Sequence, residues 1–233
     1  LVPAALAAAA GLAAWLAWPH LASLGGSLES PETQLRRALA AQTRAQLDDV
    51  YGFRSGGTVE LSPVKFDDVA PDVRGDRATV VAMLSAEGRA AWRDQAAALS
   101  YLGRERFHMR RCAIALWCGE GDQFDRLRGV LTTLFRRHDA WQTRDAEAYG
   151  RLLAPGYRDG GEDRAAALAR VTGALGPAAP RARVLGWQVR IERDAAEVGE
   201  DLELAGPADA LRRERHVYRL AREGERWLFV SGL

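Results

Sequence analysis

The run His138-Asp139-Ala140-Trp141-Gln142-Thr143-Arg144-Asp145, with Leu152-Leu153-Ala154-Pro155-Gly156-Tyr157 and Asp159-Gly160-Gly161 after it, lies in the most legible part of this chain. Leu127, Leu131, Leu134, His138 and Trp141 recur at three- and four-residue intervals. That spacing predicts a helix from Asp122 to Trp141 with one apolar stripe. Thr143 or Asp145 then starts a short helix through Leu153, Pro155-Gly156 ends it, and Glu162 to Leu175 reads as a third helix. Downstream, Arg183 to Arg193, Ala195 to Leu204, Leu211 to Arg222 and Arg226 to Leu233 read as strands. Helices followed by a meander of strands make an α+β layer.

Towards the N-terminus, Gly119 to Asp122 is a short polar joint. Before it, Ser30-Pro31-Glu32 supplies a cap, a proline at the first helical position and an acid at the positive helix end. The helix it starts carries Leu35, Leu39, Gln42 or Thr43, Gln46 or Leu47, and Val50, and is expected to stop near Gly52 or Gly56-Gly57. Thr58 to Phe66, Arg77 to Ser85, Leu99 to Arg110 and Cys112 to Trp117 read as strands, and Asp72 to Asp76 as a charged turn. A weak repeat links the halves. Arg104-Glu105-Arg106 precedes Trp117 much as Arg213-Glu214-Arg215 precedes Trp227, and Asp76-Arg77-Ala78-Thr79-Val80 echoes Asp194-Ala195-Ala196-Glu197-Val198. Such a period suggests duplication rather than a solenoid.

From Leu1 to Leu24 the only ionisable side chain is His20. That is enough apolar length for a membrane-spanning helix, with Leu12 and Leu16 in the hydrocarbon and Trp15 and Trp18 suited to an interface. A cleaved signal peptide is the rival, but cleavage after Ala17 or Ala22 would place Trp15 or His20 where a small residue is needed. The chain starts without Met, so further upstream residues are expected. Glu29 and Glu32 precede Arg36 and Arg37 after the apolar stretch, which favours an extracytoplasmic body.

The 233 residues are 48% hydrophobic and 27% charged, with 32 Lys+Arg against 31 Asp+Glu, which excludes a disordered chain and a strongly basic nucleic-acid module. Lys65 is the only lysine and Asn is absent, the bias of a GC-rich bacterial genome, so clustered Arg is weak evidence of a polyanionic partner. Cys112 and Cys118 could form one bridge in an oxidising compartment, but six residues apart they would lie about 20 Å apart on one straight strand and could not bond without a turn between them. Two buried thiols is the plainer reading. No metal-ligand spacing, phosphate loop or nucleophile elbow occurs, and no cofactor is implied.

The run 138–145, with Leu152 to Tyr157, Asp159-Gly160-Gly161 and a closing strand bearing Trp227, resembles the nuclear transport factor 2-like superfamily, especially its SnoaL-like branch. The resemblance covers about the last 110 residues; the first half looks like a reduced, cystatin-like copy. It implies a curved sheet wrapped on a long helix, forming a cone whose mouth is a pocket. The superfamily includes polyketide cyclases, ketosteroid isomerases, non-catalytic members and membrane-anchored assembly subunits, so fold alone does not choose a function.

An isomerase-type site needs a carboxylate base in an apolar cone and donors for a developing oxyanion. Among Asp139, Asp145, Asp159 and Asp163, Asp145 reads first as a helix cap and Asp159-Gly160-Gly161 as a turn. His138 points with its stripe towards the cone, yet a lone imidazole reads first as a satisfied core or rim group. His216 and Tyr218 share one strand face. His138, Trp141, Tyr157, Trp187, His216 and Tyr218 are therefore the pocket candidates, and no matched catalytic motif raises them to a catalytic set. His108, beside Arg110-Arg111, reads as a strand face open to solvent or a partner.

The expected architecture is α+β. A transmembrane anchor and hinge (1–27) precede two cone-like modules, 28–119 and 120–233, each a long helix on a curved, mainly antiparallel sheet. The expected role is a single-pass inner-membrane protein with a periplasmic body that docks on another envelope protein, without catalysis, nucleic acid or metal. The alternative is a SnoaL-like protein or enzyme holding an apolar cyclic small molecule in the second cone.

Overall fold

The structure is a computed structural model that describes residues 29–48, 50, 57–113, 116–121, 123–176, 181–205 and 211–233. The expected anchor, with Leu12, Trp15, Leu16 and Trp18, lies outside them. Among the described residues no helix is long and apolar enough to cross a membrane.

Helix α1 (Pro31–Ala41) starts as its sequence demands, with the Ser30 hydroxyl accepting from the Thr33 amide and Pro31 in the first turn. It ends much earlier than the stripe suggested. Leu35 and Leu39 are buried, but Gln42 is extended and Ala45–Leu47 forms a short strand, β1. Beyond Leu39 the expected helical stripe offers mostly polar groups, whereas Ala45 and Leu47 bury together at strand period.

Strands β2 (Gly57–Arg74), β3 (Arg77–Trp92) and β4 (Gln95–Ala113) are long antiparallel neighbours, and β5 (Leu116–Gly119) folds back on β4. The expected single strand from Cys112 to Trp117 is thus corrected to a hairpin, in which Ala113 pairs with Leu116 and Arg111 with Trp117. The reversal brings the Cα atoms of Cys112 and Cys118 to 6.1 Å, and the two form the disulfide that the sequence allowed only with a turn between them, rather than the two buried thiols of the plainer reading. Because the bridge closes a short loop, its reduction is expected to cost about 2 kcal/mol of stability. Chemical denaturation with and without a thiol reductant measures this, and Cys112→Ser should reproduce the reduced value.

After β5 come α2 (Asp125–Thr143), α3 (Ala146–Gly150), a small hairpin of β6 (Arg158–Asp159) and β7 (Glu162–Asp163), and α4 (Arg164–Ala174). Asp145 caps α3 by accepting from the Ala148 amide at 2.8 Å, and Asp163 caps α4 by accepting from the Ala166 amide at 3.0 Å. Gly160 and Gly161 form the β6–β7 turn at φ 53° and 94°, a conformation that favours glycine. Strands β8 (Arg181–Glu192), β9 (Ala195–Ala205), β10 (Leu211–Glu223) and β11 (Arg226–Ser231) complete the fold close to their expected limits.

All strands except β6 and β7 join one curved sheet in the order β1-β2-β3-β4-β8-β9-β10-β11, with β5 on β4. The joint between halves is a parallel ladder, Ala98 to Gly103 of β4 against Gly186 to Ile191 of β8. Residues 28–119 and 120–233 therefore share a sheet, and a single cluster of buried side chains runs through both. At its centre Trp92 of the first half stacks on both Phe135 and Trp187 of the second, with ring centroids 4.9 and 4.8 Å away, and those two rings lie 5.7 Å from each other. One sheet face is buried beneath the helices. The other alternates outward with Arg, Glu and Asp, as expected of a sheet solvated on one side.

Candidate functional site

Sheet register assembles the most unusual group in the molecule. Trp187, Glu200 and His216 lie in one row across β8, β9 and β10, with Tyr218 two residues along from His216. Glu200 falls in the buried series Ala196, Val198, Glu200, Leu202, Leu204, and is itself fully buried. An isolated carboxylate there would be costly. Its Oε1 accepts from Trp187 Nε1 at 2.8 Å, and its Oε2 from Tyr218 Oη and Arg137 Nη1, each at 2.7 Å.

Arg137 comes from α2, whose neighbouring Leu134 and Phe135 anchor it on the sheet. Its remaining nitrogens are used as well: Nη2 donates to Tyr218 Oη at 2.7 Å and Nε to Tyr149 Oη at 3.1 Å. The guanidinium lies 4.4 Å from the Tyr218 ring centroid, a cation–π contact. Burial alone would push the Glu200 carboxyl up, but Arg137 and the Tyr218 and Trp187 donors outweigh it and hold it below its ordinary value. Burial likewise opposes the charge on Arg137, and Glu200 overrides it. Burial, acting together with Glu200, holds the Tyr218 phenol protonated.

The pocket candidates divide accordingly. Trp187 and Tyr218 converge on Glu200, and His216 stacks parallel to Tyr218 at 6.0 Å while pairing with Glu214 at 3.0 Å. His138 is buried edge-on against Trp92 at 5.4 Å, and its Nε2 lies 3.3 Å from the Gln142 amide nitrogen, which also donates to the Ala182 carbonyl. Burial lowers the His138 pKa, so the ring is neutral at neutral pH and accepts from Gln142. Trp141 packs, partly buried, on the core. Tyr157 stands apart, accepting from the Leu233 amide at 3.1 Å. Sequence reading missed Arg137, Tyr149 and Glu200. The available signal was a carboxylate within an otherwise apolar alternating row in β9.

A second buried carboxylate marks the other end of α2. Glu105 Oε1 accepts from Tyr101 Oη at 2.7 Å and from the Leu127 amide at 3.1 Å. The residue before α2, Phe124, supplies no side-chain cap, so β4 caps the helix from outside its own sequence. Gly103 allows this: a Cβ there would lie 2.4 Å from the Tyr101 hydroxyl. Burial raises the Glu105 pKa, outweighing its hydrogen bonds. The stability linked to this group is therefore present below its unfolded pKa and lost as pH rises through the folded one. Glu105→Gln keeps the acceptor and removes the charge. It is expected to gain about 1 kcal/mol at pH 8 and nothing at pH 4 in urea denaturation at the two pH values.

Two surface grooves, of about 490 and 460 Å³, are lined by none of the six pocket candidates. Among the described residues no group of three or more His, Cys, Asp or Glu is placed to hold a metal. Chemically, the Arg137–Glu200 cluster is a closed circuit. Each carboxylate oxygen and each guanidinium nitrogen has a protein partner, and the carboxylate has no exposed surface from which to take a substrate proton.

No protein-family model matches the chain, and none of the curated proteins matches it significantly. Solved structures similar to parts of it have nuclear transport factor 2-like or cystatin-like folds. A protein of unknown function with a cystatin-like fold from Nostoc punctiforme is 15% identical, covering 48% of this chain and 91% of that one, with a TM-score of 0.40. A nuclear transport factor 2-like protein from Cytophaga hutchinsonii is 20% identical, with coverages of 44% and 91% and a TM-score of 0.38. A candidate ketosteroid isomerase from Shewanella frigidimarina is 14% identical, with coverages of 43% and 89% and a TM-score of 0.37.

Proposed function

We propose that this chain is a non-catalytic docking protein of a bacterial envelope assembly, tethered to the inner membrane through residues 1–24 with its body outside the cytoplasm. In this reading the second half is a SnoaL-like module whose interior has become structural, and the first half is its reduced copy. The observation that carries the non-catalytic part is Glu200, an interior carboxylate of the second half that is fully buried with both oxygens occupied; the other buried acid there, Asp139, is paired with Arg93 at 3.0 Å. The Cys112–Cys118 disulfide supports an oxidising compartment, and the uncharged stretch before Glu29 supports the tether.

Gentle detergent extraction of the full chain from its own membranes, followed by sizing and identification of co-eluting proteins, tests this reading. A stable larger assembly is expected, and deletion of residues 1–24 should release a folded body from the membrane. A lone chain in its micelle, together with an apolar cyclic ligand whose binding is lost in His138→Ala and His216→Ala, would replace docking by the small-molecule reading.

A further inference from the structure

The outer sheet face is not uniformly charge-balanced. On β8 to β10 four outward arginines meet carboxylates, Arg190 with Glu192, Arg213 with Glu203, Arg215 with Asp201 and Arg219 with Glu197, while among the described residues Arg181 and Arg183 at the start of β8 do not. On β4 four successive outward positions are Arg104, Arg106, His108 and Arg110, all exposed. Arg104 reaches Asp68 at 3.4 Å, but Arg106 and Arg110 have no ion-pair partner among the described residues. Arg77 stands directly across from Arg110 on β3, but it reaches Glu120 at 3.5 Å, so that of this pair only Arg110 is left without a counter-ion among the described residues. The same register sets Val81 and Met83 beside Arg106 and Arg104, and Leu102, next on the ladder, is 41% exposed. The ladder's far end opens into the 490 Å³ groove, where Arg74 and Arg77 are paired with Asp72 and Glu120 and His108 lines the wall beside Thr79.

We infer that this basic ladder on β4 is the docking surface for an acidic helix of a partner protein; the inference deepens the docking reading and rests on it. Outward residues of a strand repeat every 6–7 Å or so, which matches carboxylates about 6 Å apart at four-residue spacing on a helix. The half-exposed Leu102, with Val81 and Met83, supplies the apolar contact that protein interfaces combine with Arg. A long polyphosphate fits less well, because it offers no apolar surface to Leu102, Val81 and Met83 beside the arginines. The long free edge of β2 is no rival: a bulge between Asp67 and Ala70, with Pro71 beside it, breaks it against strand addition.

The test uses the full chain in detergent micelles and a labelled 20-residue helical peptide with Glu at every fourth position on an Ala/Leu background, followed by fluorescence anisotropy. Arg106→Glu with Arg110→Glu is expected to weaken binding by about tenfold or more, and Arg190→Glu with Arg219→Glu to leave it within about twofold. Arg106→Gln with Arg110→Gln should give an intermediate loss, and decides the matter if the charge-reversed pair does not fold. Equal affinity for all variants would overturn the inference. So would tighter binding to duplex DNA or to phosphatidylglycerol vesicles that depends on the same two arginines. Failure of the extraction experiment with peptide binding intact would instead overturn the envelope assembly while leaving the ladder as an acid-binding face.

Discussion

Arg137→Met is expected to cost about 3–5 kcal/mol of folding stability, because it leaves the fully buried Glu200 charge without its counter-ion. Denaturant unfolding measures it. The double variant Arg137→Met with Glu200→Leu should recover part of the loss, since it removes the desolvation cost along with the attraction but leaves the Trp187 and Tyr218 donors unpaired. The pH dependence gives an independent sign. In the native chain the Glu200 pKa is lowered, so its contribution is present above the unfolded value and lost as pH falls through the folded one. Without Arg137, burial raises that pKa. The single variant should therefore become more stable as pH drops from 8 towards 5, a reversal of the native sign, since in the native chain Glu200 adds no slope in that window and loses its contribution only below the unfolded carboxylate value. A loss below 1 kcal/mol, or no reversal, would mean that the cluster is solvated and open, and would revive it as a site for substrate chemistry.

Trp92→Ala should be about as damaging, at about 3–5 kcal/mol. Trp92 is 2% exposed, stacks on Phe135 and Trp187, and meets His138 edge-on. It is the largest of the first half's side chains to enter the second half's core, beside the smaller contact of Phe107 with Phe124. Together with the β4–β8 ladder it predicts one cooperative transition for the whole body, with far-ultraviolet dichroism and tryptophan fluorescence coinciding in the native chain. Two separated transitions, or a Trp92→Ala variant that unfolds only residues 29–119 while the rest persists, would show that the halves are independent despite their common sheet. Trp92→Phe keeps one ring in the stack and should lose less than half as much.

Several parts of this molecule were legible because they depend on short-range chemistry. The stripe Leu127, Leu131, Leu134, His138 predicted α2, and Asp145, Asp159-Gly160-Gly161 and Ser30-Pro31 predicted a cap, a turn and a helix start that the structure contains. The four C-terminal strands, with His216 and Tyr218 on one face, followed from period-two alternation. The early end of α1 was missed because Leu47 and Val50 fit a helical stripe as well as a strand or turn. Cys112 and Cys118 misled for a related reason: Ala113 to Trp117 reads as one apolar strand, and only pairing of Ala113 with Leu116 shows the reversal.

The sequence by itself determined the α+β class, the order of elements from α2 to the C-terminal strands, and the alternation of faces along those strands, since caps, turns and periodicity act over a few residues. Tertiary structure alone decided the register between strands and the contacts between halves. Register placed Trp187, Glu200 and His216 in one row and brought Arg137 and Tyr149 onto it from two helices. The parallel pairing of β4 with β8 merged two expected modules into one sheet and core. Partners distant in the chain are selected by burial and charge compensation in three dimensions, and no local pattern in this chain encodes which of its carboxylates an arginine 63 residues away will neutralise.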